Sequence, residues 1–174
     1  SARILNNIGS MKEHLGDYDD AINFYLLSLS NMEKTNSFPI KSKLTVLANL
    51  HRIYILKNDY HKADQYLQLF YSEMENDDSG DFLPYFEINL RLGSDDRLSL
   101  DERIKKLKVI LDMTGDDNIR NKIFQDEKNI LKFLPIRADA LWRLGFIYLH
   151  YKNDYKKSIQ LYSEAIGIYE KIRN

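Results

Sequence analysis

The sequence contains no cysteine. That excludes disulfides, thiolate metal sites and a cysteine nucleophile, and it is compatible with a reducing compartment. Only 7 glycines and 3 prolines occur among 174 residues. Runs of β-branched residues are also rare, and both features favour helix over sheet. No apolar run approaches the ~18 residues of a membrane-spanning helix. No N-terminal leader is visible, and no Asn-x-Ser/Thr glycosylation acceptor occurs. A formal charge of −1 provides no field toward nucleic acid or an anionic membrane. The expectations are therefore a cytoplasmic protein, no nucleic-acid partner and no membrane insertion. The chain starts Ser1-Ala2-Arg3 without Met, which we read as a fragment of a longer protein or a trimmed chain.

What the sequence does have is recurrence. It reads Leu5-Asn6-Asn7-Ile8-Gly9, then Gly16-Asp17-Tyr18, Ala21 and Tyr25. It reads Leu47-Ala48-Asn49-Leu50, then Asn58-Asp59-Tyr60 and Ala63. A looser third version reads Leu141, Leu144-Gly145, Tyr148, then Asn153-Asp154-Tyr155, Tyr162 and Ala165. Gly9 and His51 occupy one slot 42 residues apart, and Gly145 follows His51 by 94. Two periods of 47 fit in that interval, so a degenerate repeat is expected between them.

Apolar periodicity and breakers place the elements. The first hairpin covers about 2–34, with helices near 2–15 and 18–34. Asn36-Ser37-Phe38-Pro39 ends it, because Pro39 cannot continue a helix. The second covers 41–76, with helices near 41–57 and 59–76, and Asn76-Asp77-Asp78-Ser79-Gly80 forms the next loop. A degenerate third hairpin covers 82–113, with Phe82, Phe86, Ile88 and Leu90 on its first helix. Ser99 caps its second helix, where Ile104, Leu107, Ile110 and Leu111 recur at helical spacing. Residues 115–135 read as an insertion. It opens with Gly115-Asp116-Asp117-Asn118 and continues as an amphipathic stretch (Ile119, Ile123, Phe124, Ile130, Leu131, Leu134). Pro135 precedes the fourth hairpin at 137–172, with helices near 137–151 and 154–172.

These slots resemble the tetratricopeptide repeat family, in a long-period variant of about 42 residues, over roughly 2–76 and 137–172. The resemblance implies an all-α, right-handed superhelical solenoid of about four helical hairpins in one domain, the third degenerate. Small Gly9 and Gly145 would let paired helices cross closely, with Ala21, Ala63 and Ser158 doing the same from the other side. Tyr18, Tyr60 and Tyr155 would fill the gap between repeats. His51 in the glycine slot predicts a looser crossing in the second hairpin. The fourth turn carries one extra residue, since Gly145 and Ser158 are 13 apart where Gly9 and Ala21 are 12 apart.

No constellation for catalysis or metal binding emerges. His14, His51, His61 and His150 are scattered, without the paired helical spacing of a zinc hydrolase. Placing Gly80 at the sixth position of a calcium loop puts Phe86 where a bidentate glutamate is needed. There is no phosphate loop and no nucleophile elbow. Arg103-Ile104-Lys105-Lys106-Leu107-Lys108 is offset by Asp101 and Glu102 and reads as a solvated face. We expect neither enzyme nor cofactor.

The resemblance implies a non-catalytic scaffold whose concave groove binds a protein or peptide segment. The groove candidates are Asn6, Asn7, Ser10, Asn49, Arg52, Trp142 and Phe146. Asn7 and Asn49 hold equivalent slots, and a primary amide offers donor and acceptor side by side to an extended backbone, or equally to the neighbouring helix backbone or water. Arg52 would meet an acidic group, and Trp142 and Phe146 would either anchor apolar side chains or be buried under the 115–135 insertion. The family's carboxylate clamp needs Lys and Asn on the first helix. Asn6 and Ser10 stand there, so half the clamp is missing, although Asn49 and Arg143 fit later elements. Two other roles stay open: a peptide-sensing domain of a bacterial cytoplasmic regulator, and a structural subunit that assembles through edges or outer faces. Whether the 115–135 stretch folds across the groove or caps the end of the array stays open.

Overall fold

The computed structural model describes residues 1–35, 38–75, 82–115 and 127–173, with side chains from Phe133 onward in the last of these stretches. Eight helices occur among the described residues, and no strand. They are α1 (Ala2–His14), α2 (Tyr18–Thr35), α3 (Ile40–Leu56), α4 (Tyr60–Glu75), α5 (Leu83–Leu92), α6 (Leu100–Gly115), α7 (Glu127–His150) and α8 (Tyr155–Arg173). The chain divides into two compact units, Ser1–Pro84 and Tyr85–Asn174.

In the first unit α1 pairs with α2 and α3 with α4, and α3 also packs on α2 and α1. Tight turns make these hairpins. Gly16 and Asn58 adopt φ of 82° and 58°, the left-handed conformation that glycine and asparagine tolerate best. The next amides, of Asp17 and Asp59, donate to the carbonyls of Lys12 and Tyr54 five residues back, closing each helix in a Schellman arrangement. Asp59 Oδ1 then accepts the amide of Lys62 and caps α4.

Gly9 sits where a Cβ would lie 2.7 Å from the Tyr25 ring. The second hairpin fills the equivalent position differently. His51 is buried, with Nδ1 3.0 Å from the carbonyl of Ala63. A carbonyl only accepts, so Nδ1 carries the proton. The residue in Tyr25's register is Leu67, a smaller side chain, and volume has moved from one helix to the other. Of the tyrosines expected between repeats, Tyr18 is half-buried while Tyr60 and Tyr155 are exposed. The hydroxyl of Tyr60 donates to Asn58 Oδ1 and ties the ring to its own turn.

In the second unit, α7 packs on α8 and on α6. Gly145 meets Tyr162 as Gly9 meets Tyr25. The extra residue of the last turn is visible in its hydrogen bond. The amide of Asp154 reaches six residues back to Tyr148, and Asn153 takes φ 52°. Ser99 and Glu102 form a capping box at the start of α6. Ser99 N donates to Glu102 Oε2 (2.9 Å), and Glu102 N donates to Ser99 Oγ (3.3 Å). Ile104, Leu107 and Ile110 are buried, and Phe86 of α5 meets Phe133 of α7 edge to face at 5.5 Å.

Two features of this unit differ from expectation. Gly93 is a close-approach position after all, since a Cβ there would lie 2.4 Å from Leu107. Pro135 does not end the 115–135 stretch as a breaker. It lies inside α7, which begins ten residues before the expected start. Proline removes one donor and crowds the preceding turn, and helices tolerate that where the rest of the ladder is intact. Residues 116–126, with the expected Asp116-Asp117 opening and Ile119, Ile123 and Phe124, lie outside the described residues. So do Asn36, Ser37 and the 76–81 loop, and the side chains of Ile130 and Leu131.

Candidate functional site

The anticipated groove residues of the first unit come together, though not in equivalent roles. Asn49 is buried and bonded at both ends of its amide. Its Nδ2 donates to Asn6 Oδ1 (3.2 Å), and its Oδ1 accepts from Arg52 Nη2 (3.2 Å). Asn7, in the matching slot of α1, is exposed. The difference follows from position: α3 has α1 beside it, where Asn6 accepts from the Asn49 amide, and Arg52 of α3 itself donates to its oxygen.

Arg52 has an internal partner. Its Nη2 donates to Glu13 Oε2 at 2.7 Å, and its Nη1 pairs with Glu13 Oε1. Tyr25 also donates its hydroxyl to Glu13 Oε2 (2.7 Å). Glu13 is only 6% exposed, and a carboxylate so buried requires this partnering. Burial, followed by the hydrogen bond to Glu13, pushes the Tyr25 phenol well above the ordinary range. Arg52 Nε is buried without a hydrogen-bond partner. The Glu13–Arg52–Tyr25 cluster joins α1, α2 and α3 and was not singled out from the sequence. Glu13 reads there as one more polar residue near the end of an amphipathic helix.

The same unit has an open recess of about 370 Å³, lined by Arg3, Asn6, Asn7, Met32, Lys41, Ser42 and Thr45. Its lining mixes polar side chains with the buried Met32, and its charged side chains are both cations. Ser10 is half-buried on the same helix.

The second unit has its own recess of about 420 Å³. Trp142 and Phe146 project into it one turn apart, 50% and 44% exposed. The rest of the lining is held by local pairs. Arg143 donates to Ser94 Oγ, Arg103 pairs with Asp96 at 2.8 Å, and the Arg103 guanidinium lies 5.7 Å from the centre of the Tyr151 ring. Trp142 leans on Tyr162 at 4.7 Å between ring centres, and Phe146 on His150 at 4.3 Å. These contacts fix the aromatic rings before any ligand arrives.

Among the described residues, no group of three or more His, Asp or Glu is arranged to hold a metal ion, and no helix is long and apolar enough to cross a membrane. Comparison with curated proteins returns no match. Two family models do match, both described as tetratricopeptide repeat, one over residues 2–31 and 138–172 and the other over 46–81. The matched segments cover the α1–α2, α3–α4 and α7–α8 hairpins, the three with the tight Asp-ended turns, and the chain belongs to the tetratricopeptide repeat family.

Proposed function

We propose that the first unit binds an extended segment of a partner protein across the α1–α3 recess. Tetratricopeptide repeats generally mediate protein–protein interaction and are typically non-catalytic. The observation that carries this reading is the recess itself, with its solvent-facing carboxamide at Asn7 and cationic side chains at Arg3 and Lys41. An extended strand leaves backbone donors and acceptors unpaired, and a carboxamide answers both. Arg3 suits a carboxylate on the bound segment better than Arg52 does, because Glu13 already neutralises Arg52. Asn49, bonded to Asn6 at the recess wall, holds α1 and α3 in register. In the second unit, Trp142 and Phe146 provide a seat for an apolar side chain of a partner.

The test is capture of partners from lysate by immobilised native chain, with Arg3→Ala/Asn7→Ala and Trp142→Ala run in parallel. All three positions are exposed, so the variants keep the fold. A partner lost with Arg3→Ala/Asn7→Ala supports recognition in the first recess. A partner retained equally by both variants rejects both recesses and moves the interface to outer faces.

A further inference from the structure

The recess of the second unit is built by α6, α7 and the turn between α5 and α6, and all of its lining lies between Gly93 and Tyr151. That lining holds two guanidinium groups and one carboxylate. The two cations differ in what they bond. Arg103 is committed: its side chain is 12% exposed, its Nε donates to the Gly93 carbonyl at 3.3 Å, and its Nη1 pairs with Asp96 at 2.8 Å. The Tyr151 ring lies against it as well.

Arg143 is half-buried, and its bond in the recess is to the neutral hydroxyl of Ser94. Among the described residues no ion pair includes it. Asp139, one turn earlier on α7, accepts the Tyr169 hydroxyl at 2.7 Å. A guanidinium presents five donors in a planar fork, and one hydroxyl answers only one of them. The recess is thus left with one unmatched positive charge. Trp142 and Phe146 stand i, i+4 on α7, and Arg143 stands i, i+3 from Phe146, so rings and cation share one side of the helix.

We infer that this recess selects a partner segment in which an Asp or Glu side chain adjoins a large apolar residue. The apolar side chain seats on Trp142 and Phe146, and the carboxylate takes the open edge of the Arg143 guanidinium. This rests on the reading of those rings as a seat, and it adds the residue that decides which segments are accepted. A carboxylate fits better than a phosphate, because one unmatched cation balances a single negative charge and a phosphate carries nearly two. Segments with a basic residue at the same place are rejected by the same charge. Ser94 holds the guanidinium in place before binding.

The experiment is selection from a random displayed peptide library on the immobilised chain. Selected peptides are then made with both termini blocked, which removes chain-end carboxylates, and titrated by fluorescence anisotropy. Peptides seated in the second unit are those that lose binding to Trp142→Ala. Among these, an Asp or Glu beside a large apolar residue is expected to recur. Its replacement by Asn or Gln should weaken binding about tenfold. Arg143→Gln should weaken the parent peptide as much, and should bind the Asn or Gln peptide as the native chain does. Trp142-dependent peptides without an acidic residue overturn the inference and leave the apolar seat standing. So does an Arg143→Gln chain that binds the parent peptide as the native chain does. A selection with no Trp142-dependent peptide removes the seat and the inference together. Circular dichroism checks that helicity is retained. A variant that loses helix is replaced by Phe146→Ala or Arg143→Met, read in the same way.

Discussion

Glu13 shows how one residue binds three helices. Replacing it with alanine leaves the Arg52 guanidinium and the Tyr25 hydroxyl without their acceptor. Breaking a buried pair costs roughly 3–5 kcal/mol, and Arg52 is about one-third exposed, so solvent recovers part of this. Glu13→Ala should lower unfolding stability by about 2 kcal/mol, seen as a lower urea midpoint with an unchanged slope. The tyrosines make a second prediction. Burial pushes Tyr71 to about 12, and burial with the Asp139 hydrogen bond pushes Tyr169 to about 12. Burial, as the largest cause, also raises Tyr25, Tyr54 and Tyr66. In the unfolded chain these phenols ionise near ~10. The fold therefore favours their neutral form. Stability is fully present below pH 10 and falls between pH 10 and about 12. Loss of helix signal should be accompanied by phenolate formation at these five tyrosines. Phenolate from all 12 tyrosines with helices still intact would contradict the burial described here.

At the scale of elements, two glycines on helices have opposite consequences. A methyl at Gly9 would press on Tyr25 at 2.7 Å and on the Ala21 carbonyl at 3.2 Å, and overpacking of this kind costs about 1–3 kcal/mol. A methyl at Gly167 meets nothing within 4 Å, and alanine in a helix is favoured over glycine by about 0.5–1 kcal/mol. Gly9→Ala should lower the thermal midpoint and Gly167→Ala raise it. The turn signatures and the Ser99 cap were legible in the sequence because their causes are local: a left-handed residue, an Asp after it, a Ser three residues before a Glu. Helix ends at His14 and Leu56 follow from the same local rule. Glu13 was not legible, because its burial depends on Arg52, 39 residues away. Pro135 was read as a boundary because proline disfavours the helix around it, yet α7 runs through it. The contact of Gly93 with Leu107 was hidden for a similar reason, since the third hairpin lacks the flanking slots that mark such a glycine elsewhere. Among the groove residues, sequence register made Asn7 and Asn49 equivalent. Only the neighbouring helix separates one exposed amide from one already bonded.

For the molecule as a whole, two units predict two levels of protection. In helical repeats stability is close to a sum of local terms and neighbour joints. Glu13→Ala acts wholly within Ser1–Pro84. Native-state hydrogen exchange should therefore show faster opening of amides in α1–α3 and little change in α7 and α8. Uniform acceleration across all helices would mean that the chain opens as one body.

The opposed glycine and tyrosine pairs bear on ancestry. Gly9 faces Tyr25 and Gly145 faces Tyr162, whereas His51 stands with a leucine in the tyrosine's register. The size of one partner sets what the other tolerates, so a helix copied alone into another hairpin would arrive mismatched. Gene duplication that kept this packing would have had to transmit two helices and their turn together, which makes the hairpin the smallest heritable module of the array.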